Sequence, residues 1–438
     1  MPIPMHAGLI KGPLLSALLL LALSRSAVAD GGRLTFYQDI EPILRQNCVE
    51  CHQSGKGAPF SLVGYTEVAR RARQIALVTG KRFMPPWSAD AGGVAFRNSR
   101  RLTDPQIAVL KRWAAEGAPE GRRVRPPSSV PHQESDAWPE GAPDLVVKLR
   151  TPFPIASDGP DIYHRFVLPL HLTEDRWLRM AVFRPDSPRI TRMAMLSLDS
   201  TGLARRMAAR FGGSGYNAMV GQILPSPDNF GEWAPGTPAA ALPPGVGILV
   251  RKGDDLVVLL RLHPDGKPER AEFRIGLYFA KEPPRTVLTT VALGASNLYI
   301  RPGETKHVVT DSFTLPVDVE AFSLLAHAHL LCRTVKAVAD LPGGVRLSLL
   351  TISDWNANWQ RPYTFANPLR LPMGTRLSVE FTYDNSTPPP PGSVFNAAIM
   401  EEMAYLEIQT APYRRDDLPT LRQAIQVKQT QSRREGFP

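Results

Sequence analysis

The chain has 438 residues, is 43 % hydrophobic, and carries 51 Lys and Arg against 41 Asp and Glu, a formal charge of +10. That length exceeds one ordinary domain, so two or three are expected. Three cysteines exclude a disulfide framework, and the basic residues are dispersed, with short clusters at 70–73, 122–125 and 433–434 but no motif for RNA or DNA.

Lys11, the apolar run Leu14–Leu23 and then Ala27-Val28-Ala29 read as a secretory signal peptide over 1–29 with an A-x-A cleavage site. The run is too short to span a bilayer, and no later uncharged run is long enough. No Cys near the site invites a lipid anchor. The mature chain is expected to begin near Asp30, in the periplasm or secreted, without stable membrane insertion.

Residues 30–125 read as a small helical domain. Leu34–Cys48 has Ile40, Ile43 and Leu44 on one face. Glu67–Thr79 carries the stripe Val68, Ala72, Ile75 and Ala76 and stops at Gly80. Thr103-Asp104-Pro105-Gln106 is a capping-box pattern opening a third helix, with Ile107, Leu110, Trp113 and Ala114 on its buried face and Gly117 at its end.

Between the first two helices stands Cys48-Val49-Glu50-Cys51-His52, the C-x-x-C-H spacing of covalent haem attachment. Two thiols three positions apart reach both vinyl groups of one porphyrin, and the adjacent imidazole ligates iron from one face. A bare C-x-x-C could be a dithiol redox site, half a zinc site or a small disulfide loop. The following His, with no other Cys/His cluster nearby, argues for haem c. Export agrees with this, because attachment happens outside the cytoplasm. Met84, in Phe83-Met84-Pro85-Pro86-Trp87, is the expected sixth ligand. No His lies between 52 and 132 and the next Met is 180; the bland alternative is a core methionine. His/Met ligation raises the potential and suits electron transfer. In "FYQDIEPILRQNCVECH", "APFSL", "MPPW" and "RLTDPQIAVLKRWAAEGAPEG", residues 34–119 resemble a class I-like cytochrome c domain of multidomain exported bacterial proteins.

Residues 126–145 are a Pro/Ser/Gly-rich linker. From there short strands follow one another: Phe166–Leu170, Trp177–Phe183, Ala194–Leu198, Gly247–Val250, Leu256–Leu262 and Ala271–Phe279. With turns at short intervals they read as a β-sandwich over 146–282. A second sandwich is expected over 283–412, giving a multidomain chain of one all-α unit and two jelly-roll-like β units. The tail 413–438 is charged, with a short helical stretch near Leu418–Val427, and is expected to be peripheral or disordered.

The two β regions resemble the halves of the copper type II, ascorbate-dependent monooxygenases, typified by peptidylglycine α-hydroxylating and dopamine β-monooxygenase. The likeness is closest to bacterial relatives fused to cytochrome c. The first half matches in "FVLPLHLTEDRWLRMAVFRPDSPRI", "WAPGTPAAALPPGVGILVRKGDDLVVLLRLHPDGKPE" and "RIGLYFA". The second matches in "AFSLLAHAHLLCRTVKAV", "DWNANWQRPYTF", "LPMGTRLSVEFTYDNS" and "MEEMAYLEI". The resemblance implies an electron-collecting copper on three His in the first half, but those positions hold Arg192, Met193 and Arg261. Arg does not deprotonate and repels a cation, so no copper is expected there. The counter-reading is a makeshift site of Met193 with His263 or His171.

The resemblance places the oxygen-activating copper on His327, His329 and Met403. The residue pattern agrees. Two His at i and i+2 on a strand share a face. A thioether favours Cu(I), and three protein ligands leave a position open for dioxygen. Met400 is the rival sulfur, on the other face by alternation, and Cys332 should point away from the metal. His307 reads as a solvated turn residue, His164 and His171 have no partner signal, and Trp355, Trp359 and Tyr363 read as sandwich core. Asp384-Asn385 reads as a turn.

The expected function is therefore an exported haem c and copper redox protein. It would be an O₂-dependent monooxygenase acting on a small organic or peptide substrate, supplied by a small electron donor or redox protein. The alternatives are a non-enzymatic electron-transfer or copper-binding protein on a degenerate scaffold, and a cytochrome-tethered binding module without copper.

Overall fold

The structure is a computed structural model. It describes residues 32–434 except 54–55, 98, 124–137, 212, 214, 219–228, 236–240 and 388–401. The expected signal peptide, most of the linker, and Met400 lie outside the described residues. Strands dominate, in several sheets; described helices fall mainly before residue 116 and after residue 417.

The N-terminal unit contains helices and no long strand among its described residues. Its opening segment is a wide π-type turn, Phe36–Ile40, running into the α-helix Glu41–Asn47. Ile40 and Leu44 are buried there, and Ile43 packs beside them. The expected helix over Glu67–Thr79 is two pieces, Tyr65–Ala69 and Ala72–Gly80. The break falls at Arg70-Arg71. The Arg71 guanidinium turns back to the Glu67 carboxylate at 2.8 Å and lies 4.6 Å from the Phe60 ring centre. These contacts fix Arg71 outside helical geometry (φ −109°, ψ 9°). Asp104–Ala115 begins with the expected capping box, Gln106 N–H donating to Thr103 Oγ1 at 3.3 Å and Thr103 N–H to Gln106 Oε1 at 2.9 Å. Phe36, Ile40, Leu44, Val68, Leu110 and Trp113 form the core.

Residues 145–287 build a first pair of five-stranded sheets. One runs in the order Leu145–Lys148, Phe273–Phe279, Arg176–Pro185, Val246–Val250, Thr286–Val287. The other runs Gly215–Asn217, Ile162–Pro169, Asp255–Leu262, Thr191–Asp199, Asn229–Trp233. Phe166, Leu178, Val258, Leu260, Phe273 and Ile275 close the space between them. The outer face of the second sheet is covered by the short helix Leu203–Arg210, whose Ala204 and Ala208 pack on Val167 and Val257. The expected strand Ala271–Phe279 is interrupted at Glu272, whose carbonyl accepts from Asp186 N–H at 2.9 Å.

A second pair of four-stranded sheets follows, one ordered Thr289–Leu298, Glu402–Pro412, Val319–Ala328, Tyr363–Leu371, the other His307–Thr314, Arg376–Tyr383, Cys332–Asp340, Arg346–Ile352. Alternation decides the faces. Leu324, Ala326 and Ala328 of one strand, with Ala404, Leu406 and Ile408 of its neighbour, point into the core. The odd-numbered residues between them therefore face outward. That outer face meets the first sandwich, since Leu288, Phe322 and Ala411 are buried in the first sandwich's core cluster.

Two segments depart from expectation. The C-terminal tail is not peripheral: Leu418–Arg434 is one helix, and Leu421 and Ile425 are buried in the second sandwich's core. Its Lys428 pairs with Asp311. The amphipathic spacing of Leu421 and Ile425, one helical turn apart, carries that docking. The segment 87–97 also leaves the helical core. Asp90 N–H donates to Thr351 O (2.8 Å) and Val94 N–H to Ser348 O (3.1 Å), on one edge strand. Arg97 N–H donates to Thr364 O and Ala366 N–H to Ala95 O (both 2.8 Å), on the edge strand of the opposite sheet. One stretch of chain thus covers two open edges of the second sandwich, which would otherwise present unpaired N–H and C=O groups. It also fastens the helical unit to that sandwich.

Candidate haem and copper sites

The C-x-x-C-H segment follows directly from Glu41–Asn47. The N–H groups of Cys51 and His52 both donate to the Cys48 carbonyl, at 3.2 and 3.0 Å, which winds the segment into one turn. Cys48 and Cys51 are free thiols. Burial, and then Cys51, push the Cys48 thiol up to about 12. His52 Nδ1 lies 3.1 Å from the Phe60 carbonyl oxygen. In the tautomer that donates there, Nε2 is left to ligate a metal, the arrangement that orients most metal-bound imidazoles. Burial lowers the His52 pKa, which favours the neutral ligand form. This donor set fits a covalently bound haem. Met84 is half-buried on the loop leaving Ala72–Gly80, its N–H donating to Val78 O at 3.2 Å.

His327 and His329 stand at the end of Val319–Ala328. His327 is on the strand, while His329 lies one residue beyond it. The register pairs His327 with Tyr405 and Ala328 with Ala404. Continued by one step past the strand end, that register would set His329 opposite Met403; His327, Met403 and Tyr405 alternate onto one face. The two imidazole centres are 5.4 Å apart, nearly perpendicular at 84°. A metal about 2.0 Å from one nitrogen of each ring would put the two ring centres about 5 Å apart, so the pair is spaced for one shared ion. Among the described residues no group of three or more His, Cys, Asp or Glu could hold a metal; the third donor expected at this pair is a thioether, which such a group does not include. Cys332 is fully buried in the core, on the opposite side of the sheet from this face.

The backbone around the pair is held from several sides. Glu402, buried beside Met403, accepts the N–H groups of His329 (3.1 Å) and Leu331 (2.8 Å). Burial pushes its carboxyl up to about 7, opposed by those N–H groups. Trp355 Nε1 donates to His329 O at 3.1 Å. Gln360 Nε2 donates to Ala328 O (3.0 Å) and Ala357 O (2.9 Å), while its Oε1 is buried and has no well-aligned donor among the described residues. Tyr383 OH donates to Met403 O at 2.7 Å. Burial pushes the His327 imidazole down to about 3. Next come the neighbouring His329, then the Gln360 side chain acting the other way, then the Arg261 guanidinium. His327 is therefore a neutral base throughout the physiological range, as metal ligation requires.

Arg261 comes from the first sandwich. It lies in register between Tyr163 and Met193 on neighbouring strands. Its Nε donates to Asp161 Oδ2 at 2.5 Å and its Nη2 to Asn358 Oδ1 at 2.7 Å, across the cleft at the junction between the two sandwiches. His263 Nδ1 lies 2.6 Å from the other Asp161 oxygen, and the Asp161 side chain is only 2 % exposed. Arg192 sits in the strand irregularity between Thr191 and Met193. At these positions the chain builds an ion-pair network in which His263 is already engaged. His171 is beyond its reach: Ile162 and Pro169 are opposite ends of one strand, and about 3.3 Å per residue separates His171 from Tyr163 by more than 20 Å.

No family model matches the sequence, and no curated protein matches it. The major capsid protein P2 of bacteriophage PM2 superposes on 61 % of this chain and 97 % of its own, at 9 % identity and a TM-score of 0.24. A xanthan lyase of Paenibacillus superposes on 68 % of this chain and 29 % of its own, at 12 % identity and a TM-score of 0.17. Superpositions this loose establish neither fold nor function.

The other residues distribute as follows. His307 opens a strand, its Nδ1 2.9 Å from Glu304 Oε1. His164 packs between Phe153 and Phe166, and burial lowers it to about 4. Tyr363 is in the core and Trp355 packs half-buried against it, but Trp359 is not core: its ring packs at a tilt of 56° against Phe83, centres 4.5 Å apart. Arg361 donates to Pro86 O at 3.1 Å. The loop 355–361 thus touches the Phe83–Trp87 loop on one side and the histidines on the other. The roles of Asp161, Asn358, Gln360 and Glu402 had no signal in the sequence, because each acts on a partner distant in the chain or through main-chain atoms.

Proposed function

We propose that this chain is an exported haem c and mononuclear copper redox protein that hydroxylates a small organic or peptide substrate with dioxygen. On this reading the helical unit is a class I-like cytochrome c domain and the two β units are jelly-roll-like monooxygenase halves. The observation that supports it is the pairing of the His327 and His329 rings, 5.4 Å apart beside the strand that bears Met403, and their link through loop 355–361 to the loop that bears Met84. Haem attached at Cys48 and Cys51, with His52 and Met84 as its axial donors, would store one electron, and copper on His327, His329 and Met403 would bind and activate dioxygen.

The chain's own residues prepare that chemistry. His327 offers a neutral nitrogen without proton competition. Glu402 and Trp355 hold the His329 main chain from both its N–H and its C=O, so the ring stays opposite Met403. Arg261 and Asp161 fill the position where the family places a second copper. Electrons would then enter from the haem side, and Phe83, Trp359 and Gln360 form a continuous path of contacts from the Met84 loop to His327.

Metal analysis and EPR of the mature protein test the reading. One haem and one type II copper per chain are expected; haem alone would make the chain an electron-transfer or binding protein. Met84→Ala is expected to abolish the methionine charge-transfer band at the red end of the visible spectrum and to lower the haem potential; an unchanged spectrum removes Met84 from the iron. In stopped flow, reduced copper-loaded protein should lose its ferrous band on mixing with O₂, and His329→Ala should do so much more slowly. Equal rates would mean that the haem meets oxygen without help from copper.

A further inference from the structure

Gln360 is half-buried, and the two ends of its amide have different fates. Its Nε2 is committed to two main-chain carbonyls, Ala328 O and Ala357 O. An amide held by both of its N–H groups cannot flip, so Oε1 must act as an acceptor. That oxygen is shut off from solvent and has no well-aligned donor among the described residues. Buried acceptors are almost always satisfied. The ring within its reach is His327, one residue before the carbonyl that Nε2 grips. Both neighbours of Gln360 in the chain are anchored to the helical unit, Trp359 on Phe83 and Arg361 on Pro86 O, so the amide is held by packing on both sides.

We infer that Gln360 is a positioning residue for His327: its Oε1 accepts the imidazole N–H that faces it, fixes the tautomer, and leaves the other ring nitrogen for the cleft shared with His329 and Met403. The inference rests on the copper reading above, and it adds that the ligand nitrogen is selected by a residue tethered to the helical unit. A neutral imidazole has one donor and one acceptor nitrogen, so satisfying Oε1 determines which nitrogen carries the lone pair. Partners of this kind on metal-bound histidines are worth about 10–100-fold in metal affinity.

The test uses the full-length haem-loaded protein, Cu(I) with a competing chelator, and two substitutions. Gln360→Leu removes the acceptor and both donors, and Cu(I) should bind about 10–100-fold more weakly. Gln360→Glu keeps an acceptor oxygen for the imidazole N–H while it loses both donors to Ala328 and Ala357 and adds a negative charge, which a cationic copper site tolerates, so its affinity should stay closer to wild type than that of Gln360→Leu. A role confined to tying down the loop would make Glu as damaging as Leu, and that result overturns the inference. The second readout needs no copper. In ¹⁵N-histidine spectra of the reduced, diamagnetic protein, His327 should show one tautomer in the wild type and in Gln360→Glu, and a mixture in Gln360→Leu. A mixture already present in the wild type also overturns it. Wild-type protein that binds no copper would sink the copper reading, while the tautomer spectra still decide the role of Gln360.

Discussion

Copper titrated into the full-length protein is expected to saturate at one tight equivalent. His327→Ala should eliminate it, and Met193→Ala should leave it intact. The expectation follows from the different state of the two cleft walls. On one wall two imidazoles converge with 5.4 Å between ring centres, and Met403 follows one step beyond the Ala328–Ala404 pair. On the other, Arg261 is clamped by Asp161 and Asn358, and His263 is held by the same carboxylate. A guanidinium has no lone pair to offer and remains charged at any working pH. A second tight equivalent, or loss of the first in Met193→Ala, would show that the Arg261 wall binds metal after all.

Asp161→Asn should strongly destabilise the first sandwich. The carboxylate is 2 % exposed and compensates Arg261, whose own side chain is 13 % exposed. Breaking a buried pair by neutralising one partner costs about 3–5 kcal/mol, because the remaining charge keeps its desolvation without its counter-charge. In a unit of this size that lowers the midpoint of thermal unfolding by about 10 °C. Calorimetry of the variant against Asp186→Asn, a pairing partner of Arg274 that is 39 % exposed, separates the two cases. The surface pair is worth about 0–1 kcal/mol. Similar losses in the two variants would mean that Asp161 is hydrated rather than buried. The same substitution also frees Arg261 from one of its two anchors and so weakens the link across the cleft to Asn358.

Much of this architecture was legible in the residues alone, wherever the determining contact is short in sequence. The C-x-x-C-H turn closes through Cys48 O within four residues. The Thr103–Gln106 capping box is complete within one helical turn. The six strands expected in the first sandwich fall within a few residues of observed ones, whereas Cys332 is kept from the histidines not by alternation but by the turn at 330–331 that carries it to the facing sheet. Local rules failed where a distant side chain overrode them. The second helix breaks at Arg71, whose guanidinium lies over the Phe60 ring, and Leu421 and Ile425 gave the tail a buried face that its charge concealed.

The relation between the two candidate redox sites belongs to the tertiary structure. The linker at 126–145 permits many placements of the helical unit and enforces none. Residues 90–97 narrow that freedom by hydrogen-bonding to Ser348 and Thr351 on one edge of the second sandwich and to Thr364 and Ala366 on the other. Exposed strand edges supply these bonds without regard to side chain, so no motif announces them. Gln360 is 33 positions from His327, and Phe83 lies far earlier in the chain than Trp359, yet these contacts decide what surrounds the ligands. The sequence by itself determined which donors the chain carries and which faces they occupy. Only the packed fold decided which of them meet, because backbone pairing and burial act between residues that sequence spacing leaves unrelated.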